Sequence, residues 1–193
     1  MSSASSLDAS YFDGIFASDD DPWRLASSEY ERAKFDRTVE VLRDRRYARA
    51  FEIGCAHGVL SARLATLCDR LLAVDISSKA LALAQDRVGD HPGVTLAQMA
   101  FPAETPDGAF DLVLLSEVAY YWGAADLDRT ADWLVASVAP GGRVLLVHWI
   151  GETDYPQTGD GAVAALIEGV GDAFVQKLTE RTAEYRLDLW TRR

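Results

Sequence analysis

Phe51-Glu52-Ile53-Gly54-Cys55-Ala56-His57-Gly58 is the stretch of sequence that decides the fold of this chain. A largely apolar run ends at one glycine, and a second glycine follows four residues later. The first glycine lets the chain turn sharply, and the second lets a ligand or the next helix approach the backbone closely. This pattern is typical of a buried strand, a tight turn and a helix whose free N–H groups point at the turn. It predicts a nucleotide-type site after the first strand of an α/β sheet.

Strand and helix patterns alternate on both sides of this turn. Ser27 or Ser28 begins a predicted helix that runs to about Arg45, and Pro140-Gly141-Gly142 is predicted to stop a later one. The predicted strands cover residues 48–53, 71–75, 94–98, 110–116, 144–147, 174–181 and 185–192. We therefore expect an α/β, Rossmann-like, doubly wound sheet of about seven strands, with the last strand antiparallel and an N-terminal helical lid.

Composition limits the function classes. The chain has 193 residues and a net charge of −11, which disfavours nucleic acid and anionic membranes as partners. The N-terminus lacks the basic start and apolar core of a secretory signal, no apolar run is long enough to span a membrane, and two cysteines make neither a disulfide framework nor a zinc site. We expect a cytoplasmic monomer or weak homodimer without a metal, with residues 1–20 disordered or flexible and residues 21–193 forming a single domain.

The turn departs from the dinucleotide fingerprint, which has glycines at spacings of two and then three. Ala56 stands at the middle position, which partly blocks the approach of a pyrophosphate. Asp75 ends the second predicted strand, 17 residues beyond Gly58, where a carboxylate can accept hydrogen bonds from a ribose diol. The sequence therefore favours a nucleoside ligand without phosphates over NAD.

These features resemble class I S-adenosylmethionine-dependent methyltransferases. More narrowly, four segments resemble the nodulation protein S (NodS) group of small N-methyltransferases, which act on an amino-sugar nitrogen. The segments are Asp21-Pro22-Trp23, Ser28-Glu29-Tyr30-Glu31, Phe51-Glu52-Ile53-Gly54-Cys55-Ala56 and Leu115-Ser116-Glu117-Val118-Ala119-Tyr120-Tyr121. The resemblance implies S-adenosyl-L-methionine as the cofactor and S-adenosyl-L-homocysteine as its product.

The resemblance also implies which residues bind the cofactor. Glu52 and Gly54 would border its amino-acid part, Asp75 would hold the ribose hydroxyls, and Ile76 would pack on the adenine. Many members place an adenine-binding Asp where this chain has Ala100, so backbone groups of residues 99 and 100, or the Gln98 side chain, would read the base instead. The predicted cofactor-binding residues are Glu52, Gly54, Ala56, His57, Gly58, Asp75, Ile76, Met99, Ala100 and Ser116.

Candidates for the acceptor side follow the fourth and fifth predicted strands, whose carboxyl ends are where ligands bind in such sheets. Glu117 is the first candidate for binding or deprotonating an amine, and His148 is the second. An aromatic wall would disfavour the ammonium form of the acceptor. The predicted substrate-binding residues are Trp23, Tyr30, Tyr120 and Tyr121, with Thr153, Asp154 and Tyr155 as further candidates to line the mouth.

We therefore expect a methyltransferase that moves a methyl group to a small-molecule nucleophile, with the amine of an amino sugar or related metabolite favoured. One alternative is an O-methyltransferase that acts on a hydroxyl or carboxylate. Another is a non-catalytic, methyltransferase-like binding domain, which the missing adenine Asp favours.

Overall fold

The computed structural model describes residues 5–193, and these contain six α-helices and seven β-strands. The helices are α1 (Ala9–Ser18), α2 (Glu29–Leu42), α3 (Val59–Leu64), α4 (Ser78–Val88), α5 (Ala124–Ser137) and α6 (Gly159–Val170). The strands are β1 (Ala50–Ile53), β2 (Leu71–Asp75), β3 (Val94–Gln98), β4 (Phe110–Ser116), β5 (Val138–Trp149), β6 (Phe174–Arg181) and β7 (Tyr185–Arg192). They form two compact units, one of residues 8–100 and one of residues 5–7 with 101–193.

The first unit holds three parallel strands in the order β3-β2-β1. Every residue of β1 is buried, as expected for a strand that is covered on both faces. The predicted cap of α2 is confirmed at Ser28, whose hydroxyl accepts from the Glu31 N–H. The Ser77 hydroxyl caps α4 in the same way by accepting from the Ala80 N–H. The register sets Ile53 beside Val74 and Asp75 beside Gln98, so the carboxyl ends of these strands lie together.

The N-terminal segment of this unit is folded where the sequence predicts disorder or flexibility. Helix α1 begins after Asp8, whose carboxylate accepts from the Tyr11 N–H. Phe16 is buried, and the Ser77 hydroxyl donates to the Asp13 carboxylate at 2.5 Å. Capping and aromatic burial therefore order residues 9–18, and α1 packs against α4 as part of the predicted helical lid. Residues 1–4 lie outside the described part of the chain.

The second unit holds four strands in the order β4-β5-β7-β6. Strand β4 is parallel to β5, while β7 runs antiparallel to both β5 and β6. Residues 112–115 are fully buried, in agreement with their continuous apolar character. The seven strands and the antiparallel last strand confirm the predicted Rossmann-like class. The structure divides into two compact units, and the single domain predicted over residues 21–193 therefore stays a prediction.

The boundary between α5 and β5 differs most from the prediction. Helix α5 ends at Ser137, and β5 begins directly at Val138, six residues before the predicted strand. Pro140-Gly141-Gly142 therefore lies inside β5 and does not end the helix. The pairing with β4 jumps here from Phe110↔Val138 to Leu112↔Arg143, because the extra residues form an irregularity in the strand. Within residues 5–193, no helix combines the length and apolar character that crossing a membrane requires.

Candidate functional site

The glycine turn in the first unit has a left-handed backbone at three positions, and at one of these a side chain makes the conformation strained. The N–H groups of Gly54 and Cys55 both donate to the Val74 carbonyl, at 2.8 and 2.9 Å. Residues 54, 56 and 58 all have left-handed φ angles, of 73°, 48° and 78°. For Ala56, the only one of these three with a side chain, this conformation costs about 1 kcal/mol. Such strain persists where the surrounding structure holds it, and it is typical of binding sites.

The second glycine of the turn serves helix packing. A Cβ added to Gly58 would lie 3.1 Å from the Cα and the Cβ of Ala84 in α4. Of the two roles that the sequence leaves open for this glycine, close approach of the next helix is thus the one that the structure shows.

Asp75 fastens the turn to the end of β2. Its Oδ2 accepts from the Ala56 N–H at 2.8 Å, and its Oδ1 accepts from the Ser77 N–H at 2.9 Å. Burial raises the pKa of this carboxyl to about 6, although the backbone N–H donors, of Ser77 first, lower it in part. Each carboxylate oxygen can accept two hydrogen bonds, so the site can still receive the two hydroxyls of a ribose.

Glu52 provides a buried acceptor at the base of the turn. Its side chain is buried, and its Oε2 has no hydrogen-bond partner within residues 5–193. Burial raises the pKa of this carboxyl to about 8; the Ser61 hydroxyl opposes the rise and the Asp75 charge adds to it. A buried polar atom without a partner costs free energy. The ammonium group on the amino-acid part of the expected cofactor would supply the missing donor, so Glu52 and Asp75 together fit that cofactor.

His57 contacts the N-terminal segment. Its Nε2 lies 3.2 Å from Asp21 Oδ1, and its ring centroid lies 6.4 Å from that of Phe16, which packs edge-on against Trp23. Burial lowers the pKa of this imidazole, and nearby Asp21 opposes that change. The side chain therefore joins the turn to the segment that precedes α2, and the predicted cofactor contact of His57 stays a prediction.

The predicted adenine region lies at the ends of β2 and β3. Gln98 donates from its side-chain amide to the Ile76 carbonyl at 3.0 Å. The Met99 N–H donates to the Asp75 carbonyl at 3.0 Å. The structure thus places Ile76, Met99 and Ala100 after neighbouring strand ends, and their contacts with adenine stay predictions.

Tyr30 lies on α2 beside a buried ion pair that the sequence analysis missed. The Lys34 ammonium is 5.1 Å from the centre of the Tyr30 ring and 3.0 Å from the Glu31 carboxylate. Spacing of three residues on one helix was the available signal for this pair. The substrate contacts predicted for Trp23 and Tyr30 stay predictions.

Glu117 is held by hydrogen bonds from both its backbone and its side chain. It follows Ser116 at the end of β4 and has a left-handed φ of 57°. Its backbone N–H donates to the Val147 carbonyl at 2.8 Å, and its Oε2 accepts from the Tyr120 hydroxyl and the Trp149 N–H, both at 2.8 Å. The ends of β4 and β5 therefore hold this carboxylate in one place, as a binding or catalytic role requires.

Tyr120 and Tyr121, both predicted to bind substrate, are both buried. The reason is Tyr155, whose ring stacks on that of Tyr120 and packs edge-on against that of Tyr121. Burial raises the pKa of both buried hydroxyls well above the usual value, so both tyrosines stay neutral.

His148, near the end of β5, is fully buried. Its Nε2 accepts from the Ala119 N–H at 3.2 Å, and its ring packs edge-on against Tyr120 at 5.7 Å. Its lone pair is therefore already used in supporting the turn, and a role as general base would require that hydrogen bond to break. The described residues include no group of three His, Cys, Asp or Glu side chains that could hold a metal ion.

The fold is of the Rossmann-like class that solved methyltransferase structures share. The chain belongs to the nodulation protein S (NodS) family, whose model matches residues 16–146.

Two curated relatives share this similarity, and both carry the name nodulation protein S. The protein from Bradyrhizobium diazoefficiens is 34% identical over 123 residues, which cover 63% of this chain and 59% of the relative. The protein from Rhizobium tropici is 30% identical over 128 residues, which cover 65% of this chain and 54% of the relative. The chain thus matches little more than half the length of these relatives.

Solved structures are also similar. N-methyltransferase NodS from Bradyrhizobium japonicum WM9 in complex with S-adenosyl-L-homocysteine has a TM-score of 0.82 at 22% identity, over 95% of this chain and 97% of that one. A candidate methyltransferase from Pseudomonas syringae is 37% identical with a TM-score of 0.74, over 86% of this chain and all of that one. The first match shows the fold, and the second adds sequence similarity to it.

Proposed function

We propose that the chain is an S-adenosylmethionine-dependent N-methyltransferase whose acceptor is a small-molecule amine. The observation that carries the cofactor assignment is the pair of buried carboxyls at the glycine turn. Glu52 has an oxygen without a partner, and Asp75 keeps acceptor positions beyond its two backbone bonds. An ammonium group and a ribose diol match these two acceptors, whereas Ala56 partly blocks the approach of a pyrophosphate.

The cofactor supplies a methyl group on a positively charged sulfur, which leaves as a neutral thioether when an amine lone pair attacks the methyl carbon. The main tasks of the chain are then to align the amine and to exclude water. In this proposal, Glu117 binds the ammonium form of the acceptor and takes a proton from it. The apolar tyrosine rings beside it favour the neutral amine that can attack.

His148 is the second candidate for accepting a proton, and it is less well placed than Glu117. Its Nε2 already accepts from a backbone N–H, and its side chain is fully buried. We assign His148 a supporting role, in which it holds residues 117–120 in place and so positions Glu117.

Among amines, we favour an amino sugar or a related metabolite. The support is membership of the NodS family and the fold shared with an N-methyltransferase of that name. A cytoplasmic location and a monomer or weak homodimer complete the proposal.

Two measurements test this function. Calorimetric titration with S-adenosylmethionine should show binding, and the absence of binding would overturn the proposal. A methyl-transfer screen over amines, amino sugars, hydroxyls and carboxylic acids, with product mass spectrometry, should give N-methylated products. Products methylated only on oxygen would exclude N-methylation while leaving the methyltransferase class intact.

A further inference from the structure

Tyr155 forms part of an aromatic cluster that we name the tyrosine cluster, consisting of Tyr120, Tyr121 and Tyr155. The Tyr155 ring lies nearly parallel to that of Tyr120, with centroids 5.4 Å apart and an interplanar angle of 10°. It meets the Tyr121 ring at 4.7 Å and 69°. The first two residues of the cluster are buried and Tyr155 is only partly buried, so Tyr155 is the member that a ligand can reach.

The cluster is connected directly to Glu117. Tyr120 donates its hydroxyl to the Glu117 carboxylate and stacks its ring on Tyr155. Only the ring of Tyr120 therefore separates Tyr155 from the carboxylate at which an amine would bind. Tyr155 thus continues the aromatic surface that begins with Tyr120 beside the Glu117 carboxylate.

The loop that carries Tyr155, residues 150–158, is held at both ends. The Ile150 N–H donates to the Glu184 carbonyl, and the Gln157 N–H donates to the Tyr120 carbonyl. Glycines at 151 and 159 let this loop pass Trp149 closely, since an added Cβ would lie 2.4 Å from its Nε1 at 151 and 2.1 Å from its carbonyl oxygen at 159. The loop conformation is thus fixed by its own backbone contacts.

An ion-pair network fixes the far end of the loop. Asp160, in the first turn of α6, accepts from Arg181 and Arg186 at 2.6 to 2.8 Å. Arg186 also donates to Asp188, which is fully buried in β7 and accepts from the Thr179 hydroxyl as well. The Asp160 carboxylate is partly exposed, whereas the Arg186–Asp188 pair is largely buried, and charge-assisted hydrogen bonds of this kind hold a defined geometry. They set the start of α6 against the final hairpin and hence the direction in which the loop returns.

We propose that Tyr155 is an acceptor-binding residue. It selects amines that are attached to a ring, because the ring of the acceptor stacks on the phenol ring of Tyr155. This inference rests on the proposed function and deepens it by naming the part of the acceptor that is recognised. Tyr155 lies beyond residue 146, where the match to the family model ends.

The test compares wild type with Tyr155→Ala, Tyr155→Phe and the control Glu152→Ala, which removes an exposed side chain of the same loop. The probes are glucosamine, benzylamine and ethanolamine. Binding of each is measured by ligand NMR titration in the presence of S-adenosylhomocysteine, and methyl transfer is measured separately. Thermal melting and the Kd for the cofactor verify that each variant is folded.

We expect Tyr155→Ala to weaken binding of at least one ring amine about tenfold and to change ethanolamine binding less than twofold. Tyr155→Phe keeps the ring and should behave as wild type, as should Glu152→Ala. An equal loss for ring and chain amines would show a packing role and overturn the inference, as would unchanged binding or a wild type that binds no ring amine. Ring-amine binding that depends on Tyr155 without any methyl transfer would overturn the proposed function and leave this inference standing.

Discussion

The Ala56 N–H donates to Asp75 Oδ2 at 2.8 Å, and this bond joins the turn after β1 to the end of β2. Ala56 holds a left-handed φ of 48°, which an alanine adopts only when its surroundings compensate for the strain. The carboxylate therefore has two tasks, since it maintains the conformation of the turn and presents its remaining acceptor positions to a ligand.

Asp75→Ala should remove detectable binding of S-adenosylmethionine. Hydrogen bonds to a charged group contribute about 1.5 to 3 kcal/mol each, so losing two of them predicts a loss of about 100-fold or more in affinity. The measurement is calorimetric titration of wild type and variant at the same pH. Asp86→Asn, on the exposed side of α4, is the matched control and should bind as wild type does.

The same substitution should lower stability, because the Ala56 N–H loses its acceptor. We expect a loss of about 1 to 3 kcal/mol in the free energy of unfolding, measured by chemical denaturation. A folded Asp75→Ala variant that binds the cofactor with unchanged affinity would contradict the role assigned to this carboxylate.

Glu52 makes the stability of the chain depend on pH. The pKa of Glu52 is about 8 in the folded chain, against an ordinary value of 4.5, so between these values the folded state binds the extra proton. The free energy of unfolding should therefore fall as pH rises from about 5 to 8, by an amount on the order of several kcal/mol relative to Glu52→Gln. Chemical denaturation of both proteins at pH 5, 6, 7 and 8 measures the difference.

The control for this prediction is Glu168→Gln, an exposed acid of α6, which should leave the pH dependence of wild type unchanged. Cofactor binding provides a second check. An ammonium group beside Glu52 favours the ionised carboxyl, so binding near pH 7 should release protons, which appear as a dependence of the calorimetric heat on the buffer. Identical pH profiles for wild type and Glu52→Gln would refute the assignment.

The sequence predicts most of the fold, because hydrophobic runs and caps act locally. The bounds of β2, β3, β4 and the final hairpin agree with the prediction residue by residue. The start of β5 does not, because Pro140-Gly141-Gly142 is a helix-stop signal locally and its place inside a strand depends on pairing with β4. Helix α1 was missed because its stability comes from burial of Phe16 and contact with α4, which composition does not reveal.

The candidate site follows the same division. Asp75 and Glu117 stand at strand ends that the sequence identifies, so their positions could be predicted. The stacking of Tyr155 on Tyr120 joins residues 35 positions apart through an irregular loop, and no periodic pattern carries that information. The hydrogen bond that His148 Nε2 accepts could not be predicted either, since its donor is the backbone N–H of Ala119, in a different segment of the chain.

Glu117→Gln should lower the rate of methyl transfer by roughly 100-fold to 10,000-fold if the carboxylate takes the proton of the amine. The amide oxygen can still accept from the Tyr120 hydroxyl and the Trp149 N–H, so the fold should be retained. Rates measured across pH should show the loss chiefly in kcat, while the Kd for S-adenosylmethionine stays constant. Full activity of this variant would leave Glu117 with a structural role only. Glu152→Gln is the matched control, and its rate should equal that of wild type.

Two glycine-to-alanine substitutions should change stability in opposite directions. At Gly58 the φ of 78° strains any side chain, and the new Cβ would lie 3.1 Å from the Cα of Ala84, so we expect a loss of roughly 1 to 3 kcal/mol. At Gly14, inside α1, an added Cβ meets no atom within 4 Å, and alanine should add up to about 1 kcal/mol through its helix propensity. Denaturation curves of both variants against wild type measure these changes. A stable Gly58→Ala variant would mean that α4 moves away from the turn, and its cofactor affinity would then show whether that packing also shapes the binding site.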